Sequence, residues 1–348
     1  MGFEVSVAPS GRRFAVDDGE PLLEAALRQG VVLPYGCKNG ACGSCKARVL
    51  EGRIVQGAHQ PRALTEAEAR DGLALVCCAT AASDVRLECR VVAAAGDVPV
   101  RKMPCRVAAI EPTHAPDVRI LRLQLPANER LQFLAGQYVD LILRDGTRRS
   151  YSIGQPPHAD GPLELHVRHL PGGRFTDALF GATQPAVKER DILRLEGPLG
   201  TFFLREDGAR PIVLLASGTG FAPIKAIVEH AIHKDIRRPM TLYWGGRRPR
   251  DLYQHELAER WARELAHFAY VPVVSNALAA DDWSGRDGFV HRAVAHDFPD
   301  LSGHQVYACG APIVIDSARR DLVELCGLPP DEFYADAFTT EADLAAGA

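Results

Sequence analysis

The chain has 348 residues, of which 47% are hydrophobic and 24% are charged, and its formal net charge is −4. This composition is typical of a globular protein, and the length predicts two or three domains. The small negative charge argues against a nucleic-acid or membrane-surface partner, and no apolar run approaches the ~20 residues of a membrane helix. Because the first residues also lack a signal-peptide pattern, we expect a cytoplasmic protein.

Residues 1–96 predict a small α+β domain. Short alternating segments indicate a hairpin, an apolar periodicity then indicates a helix that Gly30 ends, and a strand follows a loop rich in glycine and cysteine. The corresponding segments are Phe3–Val7, Arg13–Val16, Pro21–Arg28, Gly36–Cys45 and Ala47–Leu50. A linker is expected over Val91–Pro104, where small residues, proline and glycine are frequent.

Residues 97–206 predict an antiparallel β-barrel, because short alternating segments are separated by turn residues. These segments are Val118–Leu125, Tyr138–Leu143, Glu164–Arg168 and Ile192–Leu195.

Residues 207–348 predict an α/β domain with a parallel sheet, since strand-like and helical runs alternate. The strand-like runs are Ile212–Leu215, Met240–Trp244, Ala269–Val274 and Gln305–Ala308, and the helical runs are Ala222–His233, Tyr253–Glu264 and Ile313–Leu325. A loose tail is expected over Thr339–Ala348.

Five of the nine cysteines lie between Cys37 and Cys78, which indicates a metal site rather than a disulfide scaffold. Cys37, Cys42 and Cys45 have the C-x4-C-x2-C spacing of plant-type 2Fe–2S clusters. Glycines in the loop allow the backbone N–H groups to point at the sulfurs. A zinc site is the alternative, although zinc more often uses two C-x2-C pairs or histidines.

The fourth cluster ligand is either Cys77 or Cys78. The segment from Gly72 to Ala79 resembles the ferredoxin stretch in which the ligand follows a Leu-x pair, and this resemblance favours Cys77. A 2Fe–2S ferredoxin domain of β-grasp fold is therefore expected at residues 1–96.

Arg149-Ser150-Tyr151-Ser152 resembles the R-x-Y-S motif of the ferredoxin–NADP reductase superfamily. The resemblance implies that Arg149 binds the flavin pyrophosphate, that Tyr151 packs on the isoalloxazine, and that Ser152 hydrogen-bonds near N5. Period two places Arg149 and Tyr151 on one face of the strand.

A second segment is similar to the part of that superfamily that lines the flavin ribityl and pyrophosphate groups. It favours FAD over FMN. Its predicted cofactor-binding residues are His166, Val167, Gly172, Gly173, Arg174, Phe175 and Thr176.

The turn after the strand Ile212–Leu215 predicts pyridine-nucleotide binding, because it joins that strand to a helix. It resembles the G-x-G-x-A-P form of the same superfamily. Its residues are Gly218, Thr219, Gly220, Ala222 and Pro223.

Two further segments resemble the nucleotide site of the superfamily. Gly245 and Arg247 match the strand end near the adenosine ribose, and Cys309, Gly310 and Pro312 match the C-G-x-P turn. On that resemblance, Cys309 lies beside the nicotinamide C4 and positions the ring. NADH is the expected donor, although Arg247, Arg248 and Arg250 could instead bind the 2′-phosphate of NADPH.

Asp336 and Phe338 resemble the terminal acidic-x-aromatic segment of these reductases, in which the aromatic ring covers the flavin and the acid lies near N5. The alternative is a packed tail with no catalytic role.

Taken together, the motifs resemble single-chain reductases of Rieske oxygenases and of CDP-6-deoxy-hexulose-3-dehydrases. The resemblance implies an NADH-dependent oxidoreductase that passes electrons through FAD and a 2Fe–2S cluster to an oxygenase or dehydrase component. We expect a monomer. The alternatives are a flavin oxidase or diaphorase, and a ferredoxin-like binding or sensor module without turnover.

Overall fold

The computed structural model describes residues 2–92 and 98–339. The chain forms two compact units. The first contains the described part of residues 1–99 together with 200–202 and 336–339, and the second contains residues 100–199 and 203–335. Within the described ranges, no helix is long and apolar enough to cross a membrane.

The first unit contains a five-stranded mixed sheet, a separate two-stranded sheet and two short helices. Its elements are β1 (Phe3–Ala8), β2 (Arg12–Val16), α1 (Leu22–Arg28), β3 (Lys46–Glu51), β4 (Ile54–Gln56), α2 (Glu66–Arg70), β5 (Leu73–Leu75), β6 (Ala79–Ala81) and β7 (Val85–Glu88). The strand order is β2-β1-β7-β3-β5, and β4 pairs with β6. β1 forms the predicted hairpin with β2 and is parallel to β7, as a β-grasp fold requires.

The first half of the second unit is an antiparallel barrel of six strands with one short helix. Its elements are β8 (Arg101–Pro112), β9 (Val118–Gln124), β10 (Tyr138–Ile142), β11 (Arg148–Ser152), β12 (Leu163–Arg168), α3 (Arg174–Phe180) and β13 (Ile192–Leu199). The strand order is β11-β10-β13-β8-β9-β12, and a bridge between Ile153 and Leu165 joins the two edges. Leu163, Leu165 and Val167 of β12 point into the barrel core.

The second half of this unit is a six-stranded sheet with helices between the strands. Its elements are β14 (Ile212–Ser217), α4 (Phe221–His233), β15 (Met240–Gly246), α5 (His255–Glu264), β16 (Phe268–Val274), β17 (Arg286–Asp287), α6 (Val290–Asp297), β18 (Gln305–Gly310), α7 (Pro312–Glu324) and β19 (Phe333–Ala337). The order is β17-β16-β15-β14-β18-β19. β14 is parallel to both neighbours, which confirms the predicted parallel sheet.

The predicted linker is wrong for Arg101–Pro104, because these residues begin β8. Met103 pairs with Leu195 of β13 and is buried, and Cys105 and Val107 repeat that burial with period two. The barrel therefore extends further toward the N-terminus than the local composition indicates. Residues 93–97 of the predicted linker, and 340–348 of the predicted tail, lie outside the described residues.

Candidate functional site

The four cysteines predicted to hold the cluster form two pairs. Cys45 Sγ lies 3.2 Å from Cys77 Sγ. Cys37 and Cys42 are linked through a thiol hydrogen bond, and the Cys37 N–H donates to Cys42 Sγ at 3.4 Å. Residues 2–92 and 98–339 contain no group of three or more His, Cys, Asp or Glu side chains suited to a single metal ion. Two thiol pairs suit a two-iron cluster, in which each iron takes two thiolates.

Cys78 lies beside this arrangement. Its Sγ is 3.5 Å from Cys77 Sγ, and it approaches Gly40 of the cluster loop. A Cβ atom on Gly40 would lie 2.8 Å from Cys78 Sγ and 3.0 Å from the Ala58 carbonyl oxygen. Gly40 also has a φ of +76°, so only glycine fits there without strain.

Backbone N–H groups of the loop point at the cysteine sulfurs. The Ala41 N–H donates to Cys37 Sγ at 3.4 Å. The hydrogen bond between the two thiols lowers the pKa of Cys42, although burial opposes this, and it raises the pKa of Cys37. The hydrogen bond with Cys45 likewise raises the pKa of Cys77. The N–H groups of Cys37 and Ala41, which donate to the sulfurs of Cys42 and Cys37, fit the thiolate ligands of the cluster that the spacing predicts.

Asp336 lies next to the cluster loop within the first unit. A Cβ atom on Gly36 would lie 3.3 Å from Cys42 Sγ and 3.7 Å from Asp336 Oδ1. Asp336 is buried and Phe338 is half-buried. Their predicted roles near the flavin stay predictions.

The R-x-Y-S strand β11 has the predicted alternation. Arg149 and Tyr151 are half-buried, whereas Arg148 and Ser150 are exposed. The Tyr151 ring packs on Phe175 with centroids 5.6 Å apart, which brings two predicted flavin residues together. The Ser150 hydroxyl donates to Asp140 Oδ1 at 2.6 Å, and Ser152 is buried.

Side-chain hydrogen bonds stabilise the conformation of the segment before α3. The Thr176 hydroxyl donates to the Leu170 carbonyl at 2.9 Å and accepts the Leu170 N–H at 3.3 Å. A Cβ atom on Gly173 would lie 2.5 Å from Thr176 Oγ1. Gly172 has a φ of +84°, and Arg174 forms an ion pair with Asp145. The hydroxyl of Thr176 thus stabilises the turn that begins the helix.

Arg168 is a candidate phosphate ligand that was not among the predicted site residues. A Cβ atom on Gly218 of the nucleotide turn would lie 3.2 Å from Arg168 Nη1. Among the described residues, the buried Nε and Nη2 atoms of Arg168 have no hydrogen-bond partner, although Asp117 Oδ2 lies 3.4 Å from Nε. A guanidinium with open donors beside a glycine-rich turn fits a dinucleotide diphosphate.

We expect Arg149→Ala to weaken FAD binding about 10- to 100-fold, which corresponds to the roughly 1.5–3 kcal/mol of one hydrogen bond to a charged group. Arg148→Ala is the matched control, because Arg148 pairs with Asp140 and Glu196 on the other face of β11. The FAD-to-protein ratio after gel filtration, and FAD affinity by fluorescence quenching, measure the effect. Equal FAD retention by both variants would contradict the role assigned to Arg149.

The nucleotide turn is packed directly against the end of β18. A Cβ atom on Gly220 would lie only 2.1 Å from the Cys309 carbonyl oxygen, and one on Gly310 would lie 2.4 Å from the Ser217 carbonyl oxygen. Gly218, Thr219 and Gly220 form a 3₁₀ turn that leads into α4. The structure therefore brings together the two predicted nucleotide segments around Gly220 and Cys309, at the carboxyl ends of adjacent parallel strands, where α/β sheets bind ligands.

The other predicted nucleotide residues surround this turn. Ala222 and Pro223 are buried in α4, and Pro312 begins α7. Gly245 pairs with Ser217 and packs against Val290. Cys309 is fully buried.

Arg247 and Arg250 are exposed, whereas Arg248 is held by Asp281. The Arg248 guanidinium donates to both Asp281 carboxylate oxygens at 2.5 Å. Asp251 Oδ2 accepts the backbone N–H groups of Arg247 and Arg248 at 2.8 and 3.1 Å. One of the three arginines considered for a 2′-phosphate is thus already paired within the protein.

His166 does not have a free ring nitrogen for a cofactor. Its Nδ1 lies 2.7 Å from the Tyr253 hydroxyl and its Nε2 lies 2.6 Å from Glu164 Oε1. Glu164, Tyr253 and their neighbour Lys225 were not predicted as site residues. For Glu164 the sequence signal is the row of polar side chains at 164, 166 and 168, which alternate with the apolar residues of β12.

Three family sequence models match the chain in succession. The 2Fe-2S iron-sulfur cluster binding domain matches residues 5–82, the oxidoreductase FAD-binding domain matches 105–204, and the oxidoreductase NAD-binding domain matches 214–320. These matches establish the 2Fe–2S cluster, FAD and NAD as the cofactors, and their residues are those that carry the three sequence motifs.

Similar proteins match over almost the whole chain. The CDP-6-deoxy-L-threo-D-glycero-4-hexulose-3-dehydrase reductase of Yersinia pestis is 42% identical over 97% of this chain and 99% of its own length. The terephthalate 1,2-dioxygenase reductase component 2 of a Comamonas species is 35% identical over 98% of both chains. The crystal structure of Amycolatopsis cytochrome P450 reductase GcoB has a TM-score of 0.76 and 34% identity, covering 97% of this chain and 99% of that one.

The sequence motifs and the full-length similarities indicate the same kind of protein. The paired thiols and the nucleotide turn fit it. The chain belongs to the family of single-chain iron–sulfur flavoprotein reductases, which transfer electrons from NADH through FAD and a 2Fe–2S cluster to a redox protein acceptor.

Proposed function

We propose that the acceptor of this reductase is a dehydrase of the CDP-6-deoxy-hexulose-3-dehydrase type. The observation that carries this proposal is the 42% identity with the Yersinia pestis dehydrase reductase, compared with 35% for the terephthalate dioxygenase reductase. A Rieske oxygenase component is the second candidate, because that relative also matches over its full length.

When bound, FAD accepts two electrons from NADH as a hydride and releases them singly to the 2Fe–2S cluster. In our proposal, Cys37 and Cys42 hold one iron, and Cys45 and Cys77 hold the other. The close approach of Cys45 to Cys77 supports Cys77 over Cys78 as the fourth ligand.

On the flavin side, we assign Arg149 to the pyrophosphate and Tyr151 to the isoalloxazine. Ser152 and Asp336 are assigned to the N5 region, and Phe338 to the ring face. On the nucleotide side, the turn 218–220 receives the diphosphate, and Cys309 positions the nicotinamide. Orientation is the main contribution of these residues, since hydride transfer needs the reacting atoms within about 3–3.5 Å.

We further propose that the protein is a cytoplasmic monomer with domain boundaries near residues 96 and 206. Residues 200–202 belong to the proposed barrel segment, but the first compact unit includes them. There, the Tyr35 N–H donates to the Thr201 hydroxyl at 2.9 Å.

Anaerobic titration with NADH tests the relay. We expect the flavin absorbance to bleach and the cluster bands to follow, because electrons leave the flavin for the cluster. A flavin that does not bleach would refute NADH oxidation. Cluster bands that stay oxidised while the flavin bleaches would favour a flavin oxidase or diaphorase.

The acceptor is tested by adding a purified CDP-6-deoxy-hexulose-3-dehydrase, or a terephthalate dioxygenase oxygenase component, to the NADH-reduced protein. We expect faster cluster reoxidation with the dehydrase. Preferential reoxidation by the oxygenase would reverse the assignment, and no reoxidation by either would exclude both acceptors.

A further inference from the structure

The ammonium group of Lys225 is buried and all its donors are used. Lys225 lies in α4 and is 7% exposed. Its Nζ donates to the Gly154 carbonyl at 2.9 Å and to Glu229 Oε2 at 3.0 Å, and it lies 3.2 Å from Glu164 Oε1. Three acceptors therefore surround the three N–H donors of one lysine.

The two carboxylate oxygens of Glu164 contact three donor groups. Its Oε1 contacts both His166 Nε2 and Lys225 Nζ, and its Oε2 accepts from Arg122 Nη1 at 2.6 Å. Burial disfavours the charged carboxylate, but the hydrogen bond from His166 and the charges of Lys225 and Arg122 outweigh it and lower the pKa of Glu164 to about 2. Glu164 is therefore ionised and can only accept hydrogen bonds.

The ionised state of Glu164 determines which ring nitrogen of His166 carries the proton. Burial lowers the pKa of His166 and outweighs the opposite effect of Glu164, so the ring is neutral near pH 7. Because Glu164 only accepts, His166 Nε2–H must donate to it. The Nδ1 atom then accepts from the Tyr253 hydroxyl at 2.7 Å. Tyr253, His166, Glu164 and Lys225 thus form one continuous chain of donors and acceptors, which we name the buried network.

One end of the buried network holds the backbone next to the flavin motif. Gly154, whose carbonyl Lys225 binds, comes two residues after Ser152. The Gly154 N–H donates to the Glu164 carbonyl at 2.8 Å. A Cβ atom on Gly154 would lie 3.0 Å from His166 Nε2 and 3.1 Å from Glu164 Oε1, so the network is closely packed around this glycine.

The network is also connected to the nucleotide turn, through Lys225 in α4 and through Tyr253. Lys225 is five residues after Gly220, in the second turn of α4. Tyr253 packs edge-on against Phe221 and Trp244, with centroids 6.2 and 5.3 Å apart. The Trp244 indole in turn donates to the Gly218 carbonyl at 3.1 Å. Short chains of contacts therefore connect the flavin motif to the nucleotide turn.

We propose that the buried network is a positioning device that fixes the nucleotide turn relative to the flavin strand β11 and thereby sets the geometry of hydride transfer. Lys225 and Tyr253 are positioning residues that act through Gly154, Phe221 and Trp244. The inference rests on the function proposed above, because it concerns the hydride step of that relay.

A buried ion pair is a poor source of stability, since desolvation of the charges offsets their attraction, but it fixes orientation. Orientation matters here because a displacement of about 1 Å of the reacting groups can cost about 100-fold in rate. Loss of the network should therefore slow the hydride step while both cofactors still bind.

Lys225→Met is the principal test, in the full-length protein loaded with FAD and cluster. We expect the limiting rate of flavin reduction by NADH to fall about 100-fold in anaerobic stopped flow. The NADH dissociation constant and the FAD content should stay at wild-type values. The visible circular dichroism of bound FAD should change, and the isotope effect with 4-deuterated NADH should increase as the hydride step becomes limiting.

Tyr253→Phe is the second variant, because it keeps the aromatic packing and removes only the hydroxyl that donates to His166. We expect a smaller loss of rate in the same direction. Lys234→Met, at the exposed end of the same helix, is the matched control and should behave as wild type. Should Lys225→Met fail to fold, Tyr253→Phe and Lys234→Met decide the question.

An unchanged rate of flavin reduction in the folded variants would overturn the proposal. A parallel loss of rate and NADH affinity would also overturn it, because a general disruption of the nucleotide site produces that pattern. The proposed relay is judged separately, on whether the wild-type protein bleaches its flavin and cluster with NADH.

Discussion

Cys77→Ser is expected to abolish the 2Fe–2S cluster, whereas Cys78→Ser is expected to retain it. The two thiols are adjacent in sequence, but Cys77 Sγ lies 3.2 Å from Cys45 Sγ, whereas Cys78 Sγ contacts Cys77 Sγ at 3.5 Å. In our proposal Cys45 and Cys77 hold the same iron, so a serine at 77 would leave that iron with a single cysteine thiolate. The pair of variants differs by one position and is therefore closely matched.

The visible absorbance of the cluster, the electron paramagnetic resonance of the reduced protein, and the iron and sulfide content measure this effect. Cytochrome c reduction by NADH should fall to the background of the cluster-free protein in Cys77→Ser. NADH–ferricyanide activity should persist in both variants, since the flavin and nucleotide sites lie on other segments. A cluster retained by Cys77→Ser and lost by Cys78→Ser would exchange the ligand assignment.

Gly220→Ala is expected to weaken NADH binding by about 10- to 100-fold, because overpacking costs about 1–3 kcal/mol. A Cβ atom on Gly220 would lie 2.1 Å from the Cys309 carbonyl oxygen and 2.5 Å from the Cys309 carbonyl carbon. These are backbone atoms of a buried parallel strand, so no side chain can move aside. The nucleotide turn must instead move away from β18 and from Cys309, which we propose positions the nicotinamide.

Gly303→Ala is the control, because no atom lies within 4 Å of a Cβ placed there. Anaerobic NADH titration followed at the flavin absorbance measures the affinity, and FAD content shows that the barrel is intact. Wild-type NADH affinity in Gly220→Ala would mean that the turn tolerates displacement from Cys309. A simultaneous loss of FAD would indicate a general folding defect.

Much of the fold was predictable because its elements have strong local patterns. Strand β1 alternates in burial, and the turn at Gly218–Gly220 stands between an apolar strand and a helix, as the sequence predicts. The start of β8 was not predictable, because Arg101–Pro104 has the composition of a linker. Its pairing with β13 stabilises it as a strand, and that pairing joins residues about 90 positions apart in the chain.

The candidate site also has features that the sequence predicts and features that only the structure shows. Spacing alone placed Cys37, Cys42 and Cys45 in one loop, because three ligands on a short segment are a local property. The resemblance of the segment from Gly72 to Ala79 favoured Cys77 over Cys78, and the 3.2 Å approach of its sulfur to Cys45, which only the folded chain supplies, supports that prediction. His166 was predicted to bind a cofactor from its segment, but the structure shows both ring nitrogens engaged by Glu164 and Tyr253.

The sequence by itself determined the cofactor set and the order of the three domains, because each cofactor needs a short motif whose residues are close in the chain. The tertiary structure decided which thiols pair, how Gly220 meets Cys309, and how Lys225 reaches Gly154. These contacts join segments that are distant in sequence, and their partners are chosen by the packing of sheets and helices. Local pattern therefore specified what the chain binds, and long-range packing specified how the segments that carry the motifs are arranged.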